Sequence, residues 1–363
     1  MKLEKKNILI ISNEPWGDIW FSKHNYAYEL SKKNKVFFIN PTSGWTFLNL
    51  FRRNVEIRKE QENIYSLNYN NFLPHYFLKL NNRIVSARIR KKLNATGIHK
   101  TFFWSFDPSR LFLPQLLNAE YSLFEAVDKY RFSLKGEKIL YSNVNAIIVI
   151  SEDFRKFHEP FGKPVLTVSH AVSSEEFNIQ TPAPVQPLTD QSCALYVGNL
   201  DYRLDYKLIR KMAEKFPQIR FVFIGGITIT DDPDFVELFL HKKIPNVIYE
   251  GKKHFKELKY HIAASGFCIA PMRRFEGNTI SHHKIFQYLA LGKPVFSCEF
   301  SEYKKSGHLL YMENDPSRLI EKMDRFISHG EPDDIQQERV ALAKQFSFES
   351  IFSKIETFIS ENQ

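Results

Sequence analysis

Lys284 and Gln287 lie three residues apart in the run Ser281-His-His283-Lys284-Ile-Phe-Gln287-Tyr-Leu-Ala-Leu-Gly292-Lys-Pro-Val295. On a helix that spacing puts a cation and an amide on one face. An apolar strand, Gly266-Phe-Cys-Ile-Ala-Pro271, comes before them, and a polar loop with Gly277 and Asn278 lies between. A cation in the first turns of a helix suits a diphosphate, and an amide beside it suits a ribose. His283 shares that first turn. The second half of the chain therefore reads as holding a nucleotide-sugar site.

Other residues fall around this helix in ways that fit a phosphate ligand or a bland role. Gly225 and Gly226 close the apolar run Phe221-Val-Phe-Ile, where missing side chains let a ligand approach or simply permit a turn. Gly198 and Asn199 sit in Tyr196-Val-Gly-Asn-Leu-Asp201-Tyr-Arg203, a strand-to-helix turn. Arg203 there either grips a β-phosphate bidentately or stays on the surface. Gly251-Lys252-Lys253-His254 either brackets a base or is solvated. Neither GxGxxG nor GxxxxGK[ST] occurs, which excludes a dinucleotide fingerprint and a P-loop. Asp231-Asp232 reads as a helix cap and not as a metal clamp. No metal and no cofactor is expected, and the phosphates are left to Lys, Arg and helix termini.

In the first half, Phe124-Glu-Ala-Val-Asp128 ends an apolar strand. A carboxylate at that place is either a general base for an acceptor hydroxyl or the cap of a following helix. Trp16 and Trp20 follow the first strand and either stack on an acceptor sugar or pack the first helix.

The positioning elements are repeated strand–helix units, which argue parallel, doubly wound sheets. Strands are expected at 7–12, 36–40, 101–105, 121–127, 146–151 and 165–169. A second series is expected at 193–197, 220–224, 246–250, 266–270 and 294–298. Helices are expected at 23–33, 75–93, 207–215, 234–241, 255–264, 283–290 and 348–359. The stretch 178–192 carries three prolines and no aromatic residue and reads as a linker. The expected organisation is residues 1–177 as an acceptor-binding Rossmann-like domain and 193–345 as a nucleotide-sugar-binding one. The two would face a central cleft, with 346–363 a helix packing back towards the first domain.

Length and composition agree with two globular domains. The 363 residues are 43% hydrophobic and 25% charged, with 33 Phe. No run approaches the ~18 apolar residues of a membrane span, and the apolar Ile8–Ile11 is too short for a signal peptide core. A cytoplasmic location is the expectation. Cys193, Cys268 and Cys298 sit singly in apolar strands and read as buried free thiols. Residues 1–175 carry 26 of the 50 Lys+Arg but only 16 of the 41 Asp+Glu. No acid occurs between Glu62 and Asp107, whereas Lys79, Arg83, Arg88, Arg90, Lys91, Lys92 and Lys100 do. Such a window is a solvated helix face or attracts anionic lipid headgroups or a phosphorylated acceptor. Phe77, Leu80, Ile84 and Ala87 share one face of its helix, which would rest on an inner membrane surface or pack on the first sheet. Nothing points to nucleic acid.

The second half resembles GT-B glycosyltransferases, sugar transferases of two Rossmann-like domains. The likeness rests on Tyr196–Asp201, Phe223–Gly226, Asn246–Gly251, Ile269–Pro271 and Lys284–Val295. It is most similar to the xanthan-type glucuronosyltransferase family, whose Met-Lys-x-x-Gln-Tyr helix matches His283-Lys284-Ile-Phe-Gln287-Tyr288. The resemblance implies that Lys284 and Gln287 hold a UDP moiety and that Asp128, in Ala126-Val127-Asp128, is the catalytic base. It also implies an inverting, metal-independent transfer to a polyprenyl-diphosphate-linked or glycan acceptor in cell-surface polysaccharide synthesis. The first half looks like teichuronic-acid-type transferases through Lys23-His24 and the Val127-Asp128 strand end. Retaining GT-B enzymes carry Glu-x7-Glu where this chain has Thr279 and Gln287. The alternatives are a retaining transferase or a non-catalytic nucleotide-sugar-binding module.

Overall fold

The computed structural model describes the chain except residues 18–19, 43–54, 128–134, 174, 176–177, 180–189, 229–230, 274–282, 301–302 and 304–305. Two compact units result. One comprises Met1–Ser169 with Phe348–Gln363, the other His170–Ser347. The division thus falls ahead of the 178–192 stretch, and 170–177 goes with the second unit.

The first unit is built on an eight-stranded sheet: β1 (Asn7–Ile11), β2 (Lys35–Ile39), β3 (Glu56–Gln61), β4 (Ile64–Asn68), β5 (Thr101–Ser105), β6 (Ala119–Ala126), β7 (Ala146–Val149) and β8 (Val165–Thr167). Its order is β3-β4-β2-β1-β5-β6-β7-β8. Every neighbouring pair is parallel except β3 with β4. β1, β2, β5, β6 and β7 are almost wholly buried, which is why they read as continuous apolar runs. The β3–β4 hairpin was not expected. β3 is Glu-Ile-Arg-Lys-Glu-Gln at the sheet edge, where charges blunt further pairing and hide the strand signal.

Helix α1 (Ser22–Ser31) buries Tyr26, Ala27 and Leu30. The C-terminal helix, α11 (Phe348–Glu361), buries Phe348, Ile351, Ile355 and Ile359, a stripe at spacings of three and four. Its Phe348 meets Tyr26 edge-on at 5.0 Å, and Phe352 meets Trp104 at 6.4 Å.

Helix α2 (Leu78–Ala95) presents the face singled out above outward. Phe77 and Leu80 are 56% and 51% exposed, Ala87 is exposed and Ile84 half-buried. It buries Asn81, Asn82, Val85, Ser86, Ile89 and Leu93 instead, so packing of the Phe77 face on the sheet is excluded.

The second unit has a six-stranded, all-parallel sheet: β9 (Cys193–Val197), β10 (Arg220–Ile224), β11 (Val247–Tyr249), β12 (Phe267–Ala270), β13 (Val295–Ser297) and β14 (Tyr311–Met312). The order β11-β10-β9-β12-β13-β14 makes β9 the first strand, with successive strands laid to either side. Ligands bind outside the carboxyl ends of strands at such a switch point. The first sheet has the same logic at β1 and β5. The segment expected as a helix at 234–241 is a short α-turn, Pro233–Phe235, running into a π-turn, Val236–Leu240. The three cysteines are free and buried. Among the described residues no helix is long and apolar enough to cross a membrane.

Candidate active site

The second sheet's switch point is framed by three elements. β9 runs into Gly198 and Asn199. β10 runs into Gly225 and Gly226. β12 leads to Pro271 and then to helix α8 (His283–Ala290). The phase of α8 is set by Tyr288, fully buried, whose hydroxyl accepts the Val197 backbone N–H at 2.9 Å. Lys284 is one turn earlier on the same face. Its ammonium therefore reaches past the end of β9, 5.1 Å above the Tyr196 ring and 3.4 Å from the Tyr196 hydroxyl.

The glycines make that approach possible. A Cβ on Gly198 would lie 1.7 Å from Lys284 Nζ and 2.7 Å from the Tyr196 hydroxyl oxygen. Gly198 also holds φ +154°, which other residues rarely adopt. Gly225, at φ +153°, would put a Cβ 1.9 Å from the Gly198 carbonyl oxygen. The two strand ends thus touch through bare backbone. Asn199 and Lys252 flank Gly226, each 3.0 Å from where its Cβ would be.

No carboxylate among the described residues lies within ion-pair distance of Lys284. Burial pushes its ammonium down to about 8, the nearby Arg203 charge adds to the shift, and Asp201 opposes it. Arg203 forks onto Asp201, with Nε 2.9 and 3.2 Å from the two carboxylate oxygens and Nη2 at 2.6 Å. Burial pushes the Asp201 carboxyl up, but the bonds from Arg203 outweigh it and hold it below the usual range. The bond to Asp201 likewise raises Arg203. Lys284 and Arg203 thus lie close enough to feel each other's charge, with the one nearby carboxylate, Asp201, held by Arg203, and the net positive field attracts an anion.

The structure brings Gly198, Asn199, Arg203, Gly225, Gly226 and Lys284 into one neighbourhood. Gln287 is half-buried on the same helix. His283 begins that helix, and its side chain is outside the described residues, as is the whole of Asp128. Lys253 pairs with Glu250 at 3.9 Å, and His254 caps the next helix by accepting from Lys256 N at 3.4 Å. Asp232 caps its helix through Asp234 N and Phe235 N at 2.8 and 3.1 Å. Sequence reasoning did not single out Tyr196 beneath the ammonium, Tyr288 as the anchor of α8, or Asp201 as the holder of Arg203. Only the Asp201-x-Arg203 spacing carried a signal.

At the first sheet's switch point the aromatic run packs on α1. Trp16 lies 5.1 Å from Phe38 and 5.6 Å from His24. His24 is fully buried. Its Nδ1 accepts from Phe21 N at 3.1 Å, and Nε2–H donates to the Pro15 carbonyl at 2.9 Å. Burial pushes its pKa down to about 4, so it is neutral. Arg110 ties four strand ends together. It binds Asp107 at 2.7 Å, the Tyr69 hydroxyl and the Ile39 carbonyl at 2.9 Å each, and the Ser12 carbonyl.

The fold is that of the GT-B glycosyltransferases, in two units each with a doubly wound, largely parallel sheet. It is similar to sucrose-phosphate synthase from Thermosynechococcus elongatus, at TM-score 0.68 and 13% identity over 98% of this chain and 99% of that one. It is also similar to the pneumococcal O-GlcNAc transferase GtfA, solved with UDP and GlcNAc, at TM-score 0.59 and 10% identity over 99% of both chains. These likenesses carry the fold alone. In sequence the chain is similar to the putative teichuronic acid biosynthesis glycosyltransferase TuaH of Bacillus subtilis, strain 168, 25% identical over 199 residues. That match takes in 53% of this chain and 49% of TuaH, so the chain spans about half the length of its curated relative. No protein-family model matches.

Proposed function

We propose that this protein transfers a sugar from a nucleotide sugar, UDP-linked, to a glycan or polyprenyl-diphosphate-linked acceptor in cell-surface polysaccharide synthesis. The observation that carries the reading is Lys284. Its ammonium is held over Tyr196, without a carboxylate partner among the described residues, at the bare ends of β9 and β10. A nucleoside diphosphate supplies the missing negative charge. The likeness to TuaH supports the transferase class and the surface-polysaccharide setting.

In this mechanism Asp128 takes the proton of the acceptor hydroxyl, whose oxygen attacks the anomeric carbon from the side opposite the diphosphate. The bond from the anomeric carbon to the β-phosphate oxygen breaks, and the electron pair leaves with the diphosphate. Lys284, assisted by Arg203, stabilises the charge that develops there. Gln287 and Asn199 orient the nucleoside. The support for Asp128 is the sequence resemblance, in which Ala126-Val127-Asp128 matches a catalytic aspartate that closes a strand. No divalent ion is needed in this scheme, because the cations come from side chains.

The acceptor is presented at a membrane surface. The support is the outward Phe77–Leu80 face of α2, with Tyr76 83% exposed beside it and Lys79 and Arg83 exposed around it. Incubation with labelled UDP-sugars and a lipid-linked acceptor, in EDTA, tests the reading. Released UDP with a lengthened glycan of inverted anomeric configuration is the expected result. Retained configuration overturns the role of Asp128, and nucleotide binding without turnover overturns the activity. Flotation with anionic vesicles, reduced by Arg83→Glu with Arg90→Glu, tests the membrane contact.

A further inference from the structure

A cavity of about 630 Å³ opens in the first unit at the carboxyl ends of β2, β4 and β5. The first turns of α2 form its opposite wall. Leu73, Leu78, Val85, Leu111 and Phe112 make much of its lining apolar. Its polar groups are engaged with one another. Asn81 accepts from Phe72 N and Leu73 N and donates to Asn71, which in turn donates to Thr42. Arg110 and Ser109 both donate to Asp107, and Arg110 also holds the Tyr69 hydroxyl.

Asn82 differs. It lines the cavity and is 3% exposed, and its Oδ1 accepts the Phe112 N–H at 3.1 Å. Its Nδ2 is enclosed and has no partner among the described residues. That nitrogen is closed off from the cavity itself, so the lining offers apolar carbon and polar groups that are already paired. The mouth carries Tyr76, which lines the cavity and is also 83% exposed. From there the outward face of α2 continues with Phe77 and Leu80, ringed by cations in a stretch without acids.

We propose that this cavity takes the apolar chain of a membrane-anchored acceptor where the chain meets its head. The inference rests on the lipid-linked reading above and adds the place where the chain enters. A largely apolar lining whose polar groups are already paired matches a hydrocarbon chain. A sugar ring, with several hydroxyls, would leave most of them unmatched. The apolar mouth and its cations fit a molecule drawn from an anionic bilayer, because chain and headgroup meet complementary surfaces in turn.

Decyl phosphate binding to the full chain, followed by calorimetry, tests this. Leu73→Trp fills the cavity from its half-buried wall. Leu78→Trp fills it from the opposite wall, in the first turn of α2. Each variant should weaken decyl phosphate binding by about tenfold or more while keeping the wild-type circular dichroism spectrum and thermal transitions, which shows that the first unit is folded, and UDP affinity in the second unit should be unchanged. Methyl glucoside and inorganic phosphate should not displace the probe. Equal binding by wild type and Leu73→Trp overturns the inference, as does displacement by either competitor. Sugar transfer to a short-chain acceptor is scored separately. Probe binding without transfer keeps the cavity assignment and sinks the transferase reading; transfer without probe binding does the reverse.

Discussion

The lowered pKa of Lys284 gives nucleotide binding a pH dependence whose sign and size can be worked out. The unliganded ammonium titrates at about 8 because burial disfavours its charged form. A diphosphate in contact favours that form, so binding raises the pKa. An amine titrating near 8 is roughly ten-elevenths protonated near pH 7 and roughly one-eleventh near pH 9. The binding-competent form thus falls about tenfold, and the Kd for UDP should rise about tenfold across that interval, or about 1.4 kcal/mol. Phosphate's own titration near pH 6 lies below this window. Calorimetry at constant ionic strength measures it. Lys284→Arg, charged at both ends of the range, should bind with a flat profile. Lys284→Ala should bind weakly, by about 1.5–3 kcal/mol less, and also flatly. A flat wild-type profile, or the same slope in Lys284→Ala, would refute the reasoning. The linkage extends to folding. The folded protein binds fewer protons at Lys284 than the unfolded chain between about pH 8 and the ordinary lysine value, so unliganded stability from this group rises with pH there. Lys284→Met should accordingly raise the melting temperature of the unliganded protein at neutral pH while weakening UDP binding about as much as Lys284→Ala does.

Gly198→Ala should abolish UDP binding and destabilise the second unit, since the new Cβ meets Lys284 Nζ at 1.7 Å and the backbone is at φ +154°; near wild-type affinity would remove Gly198 from the site. Asp128→Asn should leave UDP affinity intact and cut kcat by ~100-fold or more, read by initial rates at saturating donor. Glu125, fully buried on β6 and accepting from Trp104 Nε1 at 2.8 Å, is pushed up to about 8 by burial. The folded state therefore holds a proton that the unfolded chain releases, and stability falls as pH rises from the ordinary carboxyl range towards 8. Glu125→Gln should remove part of that fall in thermal melts between pH 5 and pH 8, and an unchanged slope would count against a raised Glu125.

The strands were legible because parallel strands covered on both faces read as largely apolar runs, and every expected one is present. That Lys284 and Gln287 share one helix was legible because a spacing of three on a helix needs no knowledge of the rest of the chain. Contacts between distant residues were not legible. The bond from Val197 N to the Tyr288 hydroxyl spans 91 positions, yet it sets the phase of α8 and aims Lys284 over Tyr196. The contact of Gly198 with Gly225 depends on the pairing of β9 with β10. Arg110 reads as one more surface cation until the first sheet brings Ser12, Ile39, Tyr69 and Asp107 around it. Helix α2 is the plainest case. Its sequence offers an apolar face at Phe77, Leu80, Ile84 and Ala87 and a mixed one at Asn82, Val85, Ser86 and Ile89. Periodicity alone favours burying the first. The fold buries the second, because Asn81 and Asn82 satisfy backbone N–H groups of the segments at 72–73 and 112 that must pass beneath the helix. Local pattern decides which residues can share a face; the hydrogen-bond needs of remote backbone decide which face turns inward.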